Sequence, residues 1–308
     1  MAPTRVVIDT DPGVDDAVAI LLALASPEID VLALTTVTGN VDLEKTTLNA
    51  RRLLSLANRP DVVVAAGCGV PLNDAPKHAS EVHGADGLGD LVWADPQIPV
   101  SDTHAVDLLA KMIDDGPLTI VAIGPLTNIA TLFQRYPETI GKLERLVIMG
   151  GASLQGNVTP AAEFNIWADP EAAKIVFEAA CPITVMPLDL THQAFLNDDD
   201  LAFFRSLGTE VGRRVADFLE PYTLFHVEWY GNRDIIMHDA MAVYELLDPA
   251  AIVKQPVGVT VETGGEYSRG ATWIDRSMQQ GDSSTHVGVS VHNDTFRHFL
   301  RERLATYK

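Results

Sequence analysis

The chain has 308 residues, and 22 Lys and Arg against 42 Asp and Glu give a formal net charge of −20. A hydrophobic fraction of 47% with 21% charged residues belongs to a chain that can bury a core, not to an acidic disordered one. Such a charge argues against a nucleic-acid backbone or an anionic membrane as partner, since both reward Lys and Arg.

Short β-branched runs alternate with amphipathic stretches along the first two thirds of the chain. The pattern predicts a strand over residues 5–9, a helix over 15–25, a strand over 30–37, a helix over 42–57 and a strand over 62–65. It continues with a helix over 102–114, a strand over 118–123, a helix over 126–135, a strand over 143–149, a helix over 170–179 and a strand over 183–187. Asp42 and Asp102 read as N-caps, as does Asp169 before Pro170. The strands are apolar on both faces, which predicts an α/β fold: an open, mostly parallel, Rossmann-like sheet flanked by helices. After residue 190 the rhythm changes to helices over 198–206, 208–229 and 239–247, late strands over 256–261 and 285–291, and a closing helix over 294–307. Without a linker or repeat, residues 1–308 are expected to form a single domain with a helical C-terminal insertion. Cys68 and Cys181 cannot build a disulfide framework and read as small core residues. The longest wholly apolar run, Ala17 to Ala25, is too short to span a membrane, and MAPTRVVIDT lacks a signal-type core. A cytoplasmic location is expected.

In an open α/β sheet, ligands bind beyond the carboxyl ends of the strands. The first strand runs straight into Asp9-Thr10-Asp11-Pro12-Gly13-Val14-Asp15-Asp16. Pro12 and Gly13 force a tight turn that folds the two acidic pairs toward each other. Four crowded carboxylates repel unless a hard divalent cation such as Ca²⁺ or Mg²⁺ binds their oxygens. Helix-dipole complementation accounts for Asp15 and Asp16 but not for Asp9 and Asp11.

The run DTDPGVDDA closely resembles the N-terminal signature of the inosine–uridine-preferring nucleoside hydrolases, with Thr10 where relatives often carry Cys. Four further segments carry the resemblance: Thr38-Gly39-Asn40, Gly124-Pro125-Leu126-Thr127-Asn128, the loop after Gly150-Gly151 with Asn157, Glu163 and Asn165, and His238-Asp239-Ala240. The loop Val82-His83-Gly84-Ala85-Asp86-Gly87-Leu88-Gly89 and the segment Arg269–Asp275 also look like family segments, the latter read as structural. Taken alone, Asp239 is equally readable as an N-cap. The resemblance implies hydrolysis of the N-glycosidic bond of a ribonucleoside. It implies Ca²⁺ held by Asp11, Asp16, Asp239 and the Thr127 carbonyl, with Asp11 as base toward water and His238 as acid toward the leaving base. It places Asp15, Asn40, Asn157, Glu163 and Asn165 on the sugar, and His83, His226 and Tyr230 near the base. His226 and Tyr230 are spaced to share one helix face. Relatives are usually homodimers or homotetramers.

Two other readings compete. A haloacid-dehalogenase-type phosphatase also opens with a strand and Asp-x-Asp, although Pro12-Gly13 breaks its continuation. A non-catalytic nucleoside-binding protein could share the fold. The histidines 78, 104, 192, 286, 292 and 298 receive no role.

Overall fold

A computed structural model describes residues 2–278 and 283–308. The chain begins with β1 (Thr4–Thr10), α1 (Val14–Leu24), β2 (Ile29–Thr36), α2 (Leu43–Leu56) and β3 (Val63–Ala66). A long connection carrying the single turn α3 (Ser80–His83) leads to α4 (Ala105–Asp114), β4 (Thr119–Ala122) and α5 (Thr127–Arg135). Then come β5 (Arg145–Met149), α6 (Phe164–Ala168), α7 (Pro170–Phe177) and β6 (Ile183–Met186). The next section holds α8 (Leu188–Thr191), β7 (Phe195–Leu196), α9 (Asp198–Ser206), α10 (Glu210–Tyr230), β8 (Ile235–Ile236) and α11 (Ala240–Leu247). The chain closes with β9 (Ile252–Pro256), β10 (Gly258–Val261), β11 (Thr272–Asp275), β12 (Thr285–Val291) and α12 (Asn293–Leu304).

Eight strands form one sheet in the order β3-β2-β1-β4-β5-β6-β12-β9, parallel except for the β9 edge. Side chains alternate across each strand, so apolar runs feed two cores. Val6 and Ile8 of β1 enter the core beneath α1 and α11, while Val7 enters the one beneath α4 and α5. The sheet turns back at β1. The chain builds outward through β2 and β3, then crosses to β4 on the other side. This switch point leaves a crevice at the carboxyl ends of β1 and β4. All of the section from α8 to β11 is inserted between β6 and its parallel neighbour β12, which is the expected C-terminal insertion.

Two local expectations are corrected, and the open reading of Asp239 is decided. The fourth helix is capped by His104, whose Nδ1 accepts from the Val106 N–H, and not by Asp102. Its apolar stripe starts at Ala105, which puts the cap one residue earlier. Asp239 stands at the start of α11 with helical dihedrals, and its carboxylate makes no cap bond. The strand expected over 256–261 is two pieces. Pro256 cannot donate to a ladder and ends β9, while β10 pairs with β11 in a separate ribbon. By contrast, Asp42 and Asp169 cap α2 and α7 as expected.

Candidate active site

β1 delivers Asp9 and Asp11 to the crevice, and α1 places Asp15 and Asp16 in its first turn. The end of the strand parts the first two acids: Asp9 still belongs to β1, whereas Asp11 lies beyond its last residue, Thr10, where the period-2 pattern that would align them no longer holds. Asp9 points inward, where its Oδ1 accepts from Thr35 Oγ1 at 2.5 Å and from Asn128 Nδ2 at 2.8 Å. It pins the sheet to α5 and stands outside the carboxylate cluster in which the sequence reading had counted it. Carboxylate oxygens of Asp15, Asp16 and Asp239 gather within 4.8 Å of one another. The Asp239 side chain is therefore turned to the cluster and is not spent on its own helix.

Asp11 lies beside this triad, fully buried. Its Oδ2 accepts from the Asn40 N–H at 2.7 Å, and its Oδ1 has no hydrogen-bond partner among the described residues. Two glycines permit this placement. A Cβ on Gly39 would stand 2.0 Å from Asp11 Oδ2, and one on Gly124 would stand 2.5 Å from Oδ1. Asp16 is more fully held, accepting from Thr10 Oγ1 at 2.6 Å, the Gly13 N–H at 2.9 Å and Asn40 Nδ2 at 3.1 Å. Thr127 opens α5 nearby and donates its hydroxyl to Asp169 Oδ2.

Burial pushes the carboxyls of Asp11, Asp15, Asp16 and Asp239 above their ordinary range, Asp15 to about 8. Repulsion from Asp16 adds to the shift of Asp11 and Asp15, and repulsion from Asp15 to that of Asp239. No Lys or Arg among the described residues lines the cavity above them. Crowded buried anions with no basic partner need a positive charge from elsewhere. An all-oxygen anionic donor set with the free Asp11 Oδ1 fits a hard divalent cation.

A cavity of about 220 Å³ opens over the acids. It brings together Asp15, Asn40, His83, Asn157, Glu163, Asn165, His226, Tyr230, His238 and Asp239, ten of the thirteen expected site residues. Asp11, Asp16 and Thr127 are buried outside its lining. One wall is the start of α6, where Glu163 accepts from the Gly151 and Asn165 N–H groups and burial raises its carboxyl to about 7. Asn165 Nδ2 donates to the carbonyls of Ile123 and Met149, tying this wall to the ends of β4 and β5. Asn157 is exposed at the rim, where its Oδ1 accepts from the Phe164 N–H.

The opposite wall is aromatic. Tyr222, Phe225, His226, Trp229 and Tyr230 recur on one face of α10. Both ring nitrogens of His226 are occupied: Nδ1 donates to the Tyr222 carbonyl at 2.9 Å, and Nε2 accepts from the Ile236 N–H at 3.4 Å. His226 therefore presents a ring face to the cavity, not a donor. His83 Nδ1 accepts from the Val14 N–H at 3.1 Å, which leaves its proton on Nε2. Burial lowers its pKa to about 3, so it is neutral beside Asp15. His238 Nδ1 lies 2.8 Å from Thr191 Oγ1, and burial likewise holds it well below the usual imidazole range.

A family model described as inosine-uridine preferring nucleoside hydrolase matches residues 6–298. The chain belongs to this family. A pyrimidine-specific ribonucleoside hydrolase RihA from Photobacterium profundum is 40% identical over 98% of this chain and 99% of its own. The protein of that name from Escherichia coli O8 is 42% identical, covering 98% of each chain. Among solved structures, a plant nucleoside hydrolase, PpNRh1, superposes with a TM-score of 0.92 at 36% identity, covering 98% of this chain and 99% of its own. A purine-preferring ribonucleoside hydrolase from Gardnerella vaginalis superposes at 0.93 with 30% identity, covering 98% of each. This nucleoside hydrolase is thus a ribonucleoside N-glycosidase, which removes the phosphatase and non-catalytic readings. The absence of Lys and Arg from the described lining is also unsuited to a phosphate ester.

Several working parts of this nucleoside hydrolase escaped the sequence reading. The α10 stripe was visible as Tyr222, Phe225, Trp229 at helical spacing around His226 and Tyr230. His78 lines the cavity, and His192 packs against both Tyr230 and His238, although neither had received a role. Asn128 Nδ2 donates to Asp9 Oδ1 and the Thr36 carbonyl, and its Oδ1 accepts from the Cys68 N–H. Asn128→Ala leaves the buried Cys68 N–H unpaired and removes one of the two donors to Asp9 Oδ1 and to the Thr36 carbonyl, which keep Thr35 and the Gly67 N–H. It is expected to cost about 3 kcal/mol in urea unfolding, and a loss under 0.5 kcal/mol would contradict the pinning role.

Proposed function

We propose that residues 1–308 act as one domain that hydrolyses ribonucleosides to free base and ribose with Ca²⁺ at the carboxylate cluster. The observation that carries this reading is a set of buried, uncompensated acids beneath a cavity whose remaining walls are amide and aromatic. Asp11, Asp16, Asp239 and the Thr127 carbonyl would hold the ion, with Asp15 offering a further oxygen beside Asp16 and Asp239. When bound, Ca²⁺ supplies positive charge and affinity for hydroxyl and water oxygens, while acidifying water only weakly.

A base is therefore required, and Asp11, with its free Oδ1, takes the proton of the attacking water. Asp15, Asn40, Asn157, Glu163 and Asn165 grip the sugar, since amides both donate and accept as hydroxyls do. The two carboxylates among them, Asp15 and Glu163, stabilise the oxocarbenium-like sugar as the bond to the base lengthens. His83 offers Nε2–H toward the base, while His226 and Tyr230 give it an aromatic surface. His238 protonates the departing base. Burial makes its imidazolium scarce but strongly acidic.

The relatives at 40–42% identity bear pyrimidine-specific names, which favours uridine and cytidine as substrates. Reducing-sugar release from uridine, cytidine, inosine, adenosine and guanosine is the test, with and without a calcium chelator. Uridine and cytidine are expected to lead by at least tenfold in kcat/KM, about 1.4 kcal/mol of discrimination. Faster turnover of inosine or guanosine would overturn the pyrimidine assignment, and chelator-insensitive turnover the metal. Among the described residues no helix is long and apolar enough to cross a membrane. A cytoplasmic homodimer or homotetramer remains part of the proposal.

A further inference from the structure

We propose that the segment from Arg269 to Thr272 is a positioning strap that holds two walls of the nucleoside cavity at their working separation. The inference rests on the site reading given above. Arg269 sits outside the cavity, yet its guanidinium joins two separate stretches of chain. It bonds both carboxylate oxygens of Glu171 on α7, at 2.7 and 2.8 Å, and Asp74 Oδ2 at 2.7 Å. A further bond to the Thr263 carbonyl fixes its own loop. Asp74 in turn accepts from Lys77 Nζ at 3.2 Å, and Lys77 donates to the Trp167 carbonyl at 2.9 Å while lying 4.2 Å from that ring's centroid.

The chain running on from Lys77 supplies one wall through His78, Glu81 and His83, and Trp167 belongs to the other. Gly270 completes the contact. It has φ of +84°, and a Cβ there would lie 2.8 Å from Trp167 Cα, so the strap runs directly against the back of α6. Two residues later Thr272 Oγ1 accepts from the Ala152 N–H and donates to the Ala152 carbonyl, each at 2.8 Å. Ala152 follows Gly151, whose N–H is bonded to Glu163. Four consecutive residues thus touch the supports of both walls and reach none of Asp11, Asp15, Asp16 or Asp239.

That placement dictates the kinetic signature. Loosening the walls weakens the grip on substrate without altering the acids, so KM should rise while kcat holds. Arg269→Ala is expected to raise KM about tenfold with kcat changed less than about twofold. Arg269→Lys, a point charge lacking the planar fork, should recover only part of the affinity. Asp74→Asn cuts one arm alone and decides the matter if Arg269→Ala folds poorly; it should raise KM in the same sense. Combined with Arg269→Ala it should add little, because both remove one link.

Amide hydrogen exchange supplies a readout independent of activity. In Arg269→Ala, exchange should quicken together in residues 72–83 and 162–168. Turnover by the parent chain tests the site reading itself, whereas the ratio of variant to parent and the exchange pattern test the strap. A KM within twofold of the parent, a fall in kcat alone, or faster exchange confined to residues 262–271 would overturn the proposal.

Discussion

Asp11→Ala is expected to lower kcat/KM for ribonucleosides by about 10²- to 10⁴-fold, the range for loss of a positioned general base, while the fold survives. The second half of that expectation separates a chemical role from a structural one. Asp11 accepts one hydrogen bond from Asn40, its Oδ1 has no partner, and burial and Asp16 both disfavour its charge. A carboxylate in that state costs the cation-free protein stability. Its removal should therefore leave the thermal midpoint in chelator unchanged or higher. Asp11→Asn sharpens the point, since it retains an acceptor for the Asn40 N–H and discards only the charge and basicity. Thermal melting in chelator, paired with reducing-sugar release, makes the check. Wild-type turnover in either variant would remove Asp11 from the mechanism.

Removal of the divalent cation is expected to abolish turnover and to leave the protein increasingly unstable as pH rises. Asp11, Asp15, Asp16 and Asp239 have folded-state pKa values above their ordinary range near 4, Asp15 at about 8. Such groups hold their protons more tightly folded than unfolded. Their contribution is most favourable below the unfolded value and is lost as pH climbs through the folded one. In chelator, the thermal midpoint should fall between pH 5 and pH 8. Ca²⁺ at a hundred times its Kd adds about 2.7 kcal/mol, on the order of 5 °C for a chain of this size, and the gain should be larger at pH 8 than at pH 5. A midpoint at pH 8 indifferent to Ca²⁺ would deny the cluster its cation.

Legibility in the sequence followed the range of the interactions involved. The parallel core was readable because buried strands are apolar on both faces, and Asp42 and Asp169 were readable because a cap acts within its own helix. Ten expected residues share one cavity because several lie just after strands whose carboxyl ends meet at the switch point. What escaped depended on contacts between distant segments. No pattern near Asp9 announces that Thr35 and Asn128 draw it away from Asp11. His226 showed the right helix face, but only its bond from Ile236 reveals that its nitrogens are occupied. Asp239 taken alone was equally readable as a cap, because Asp at a helix start is ordinarily one; only its neighbours Asp15 and Asp16 in space decide against that, a tertiary fact.

The insertion between β6 and β12 also governs when in the life of the molecule the cluster exists. Asp11, Asp15 and Asp16 are neighbours in sequence and come together with β1 and α1. Asp239 follows only after the chain has left the sheet, run through α9 and α10, and returned through β8 to the start of α11. A chain still emerging from its ribosome, or misassembled in its last third, carries three crowded acids without the fourth. With a cation at the cluster as proposed, the donor set would be complete only once Asp239 has joined it, so the ion would stabilise the finished fold and act as a latch on it, not as a template for it.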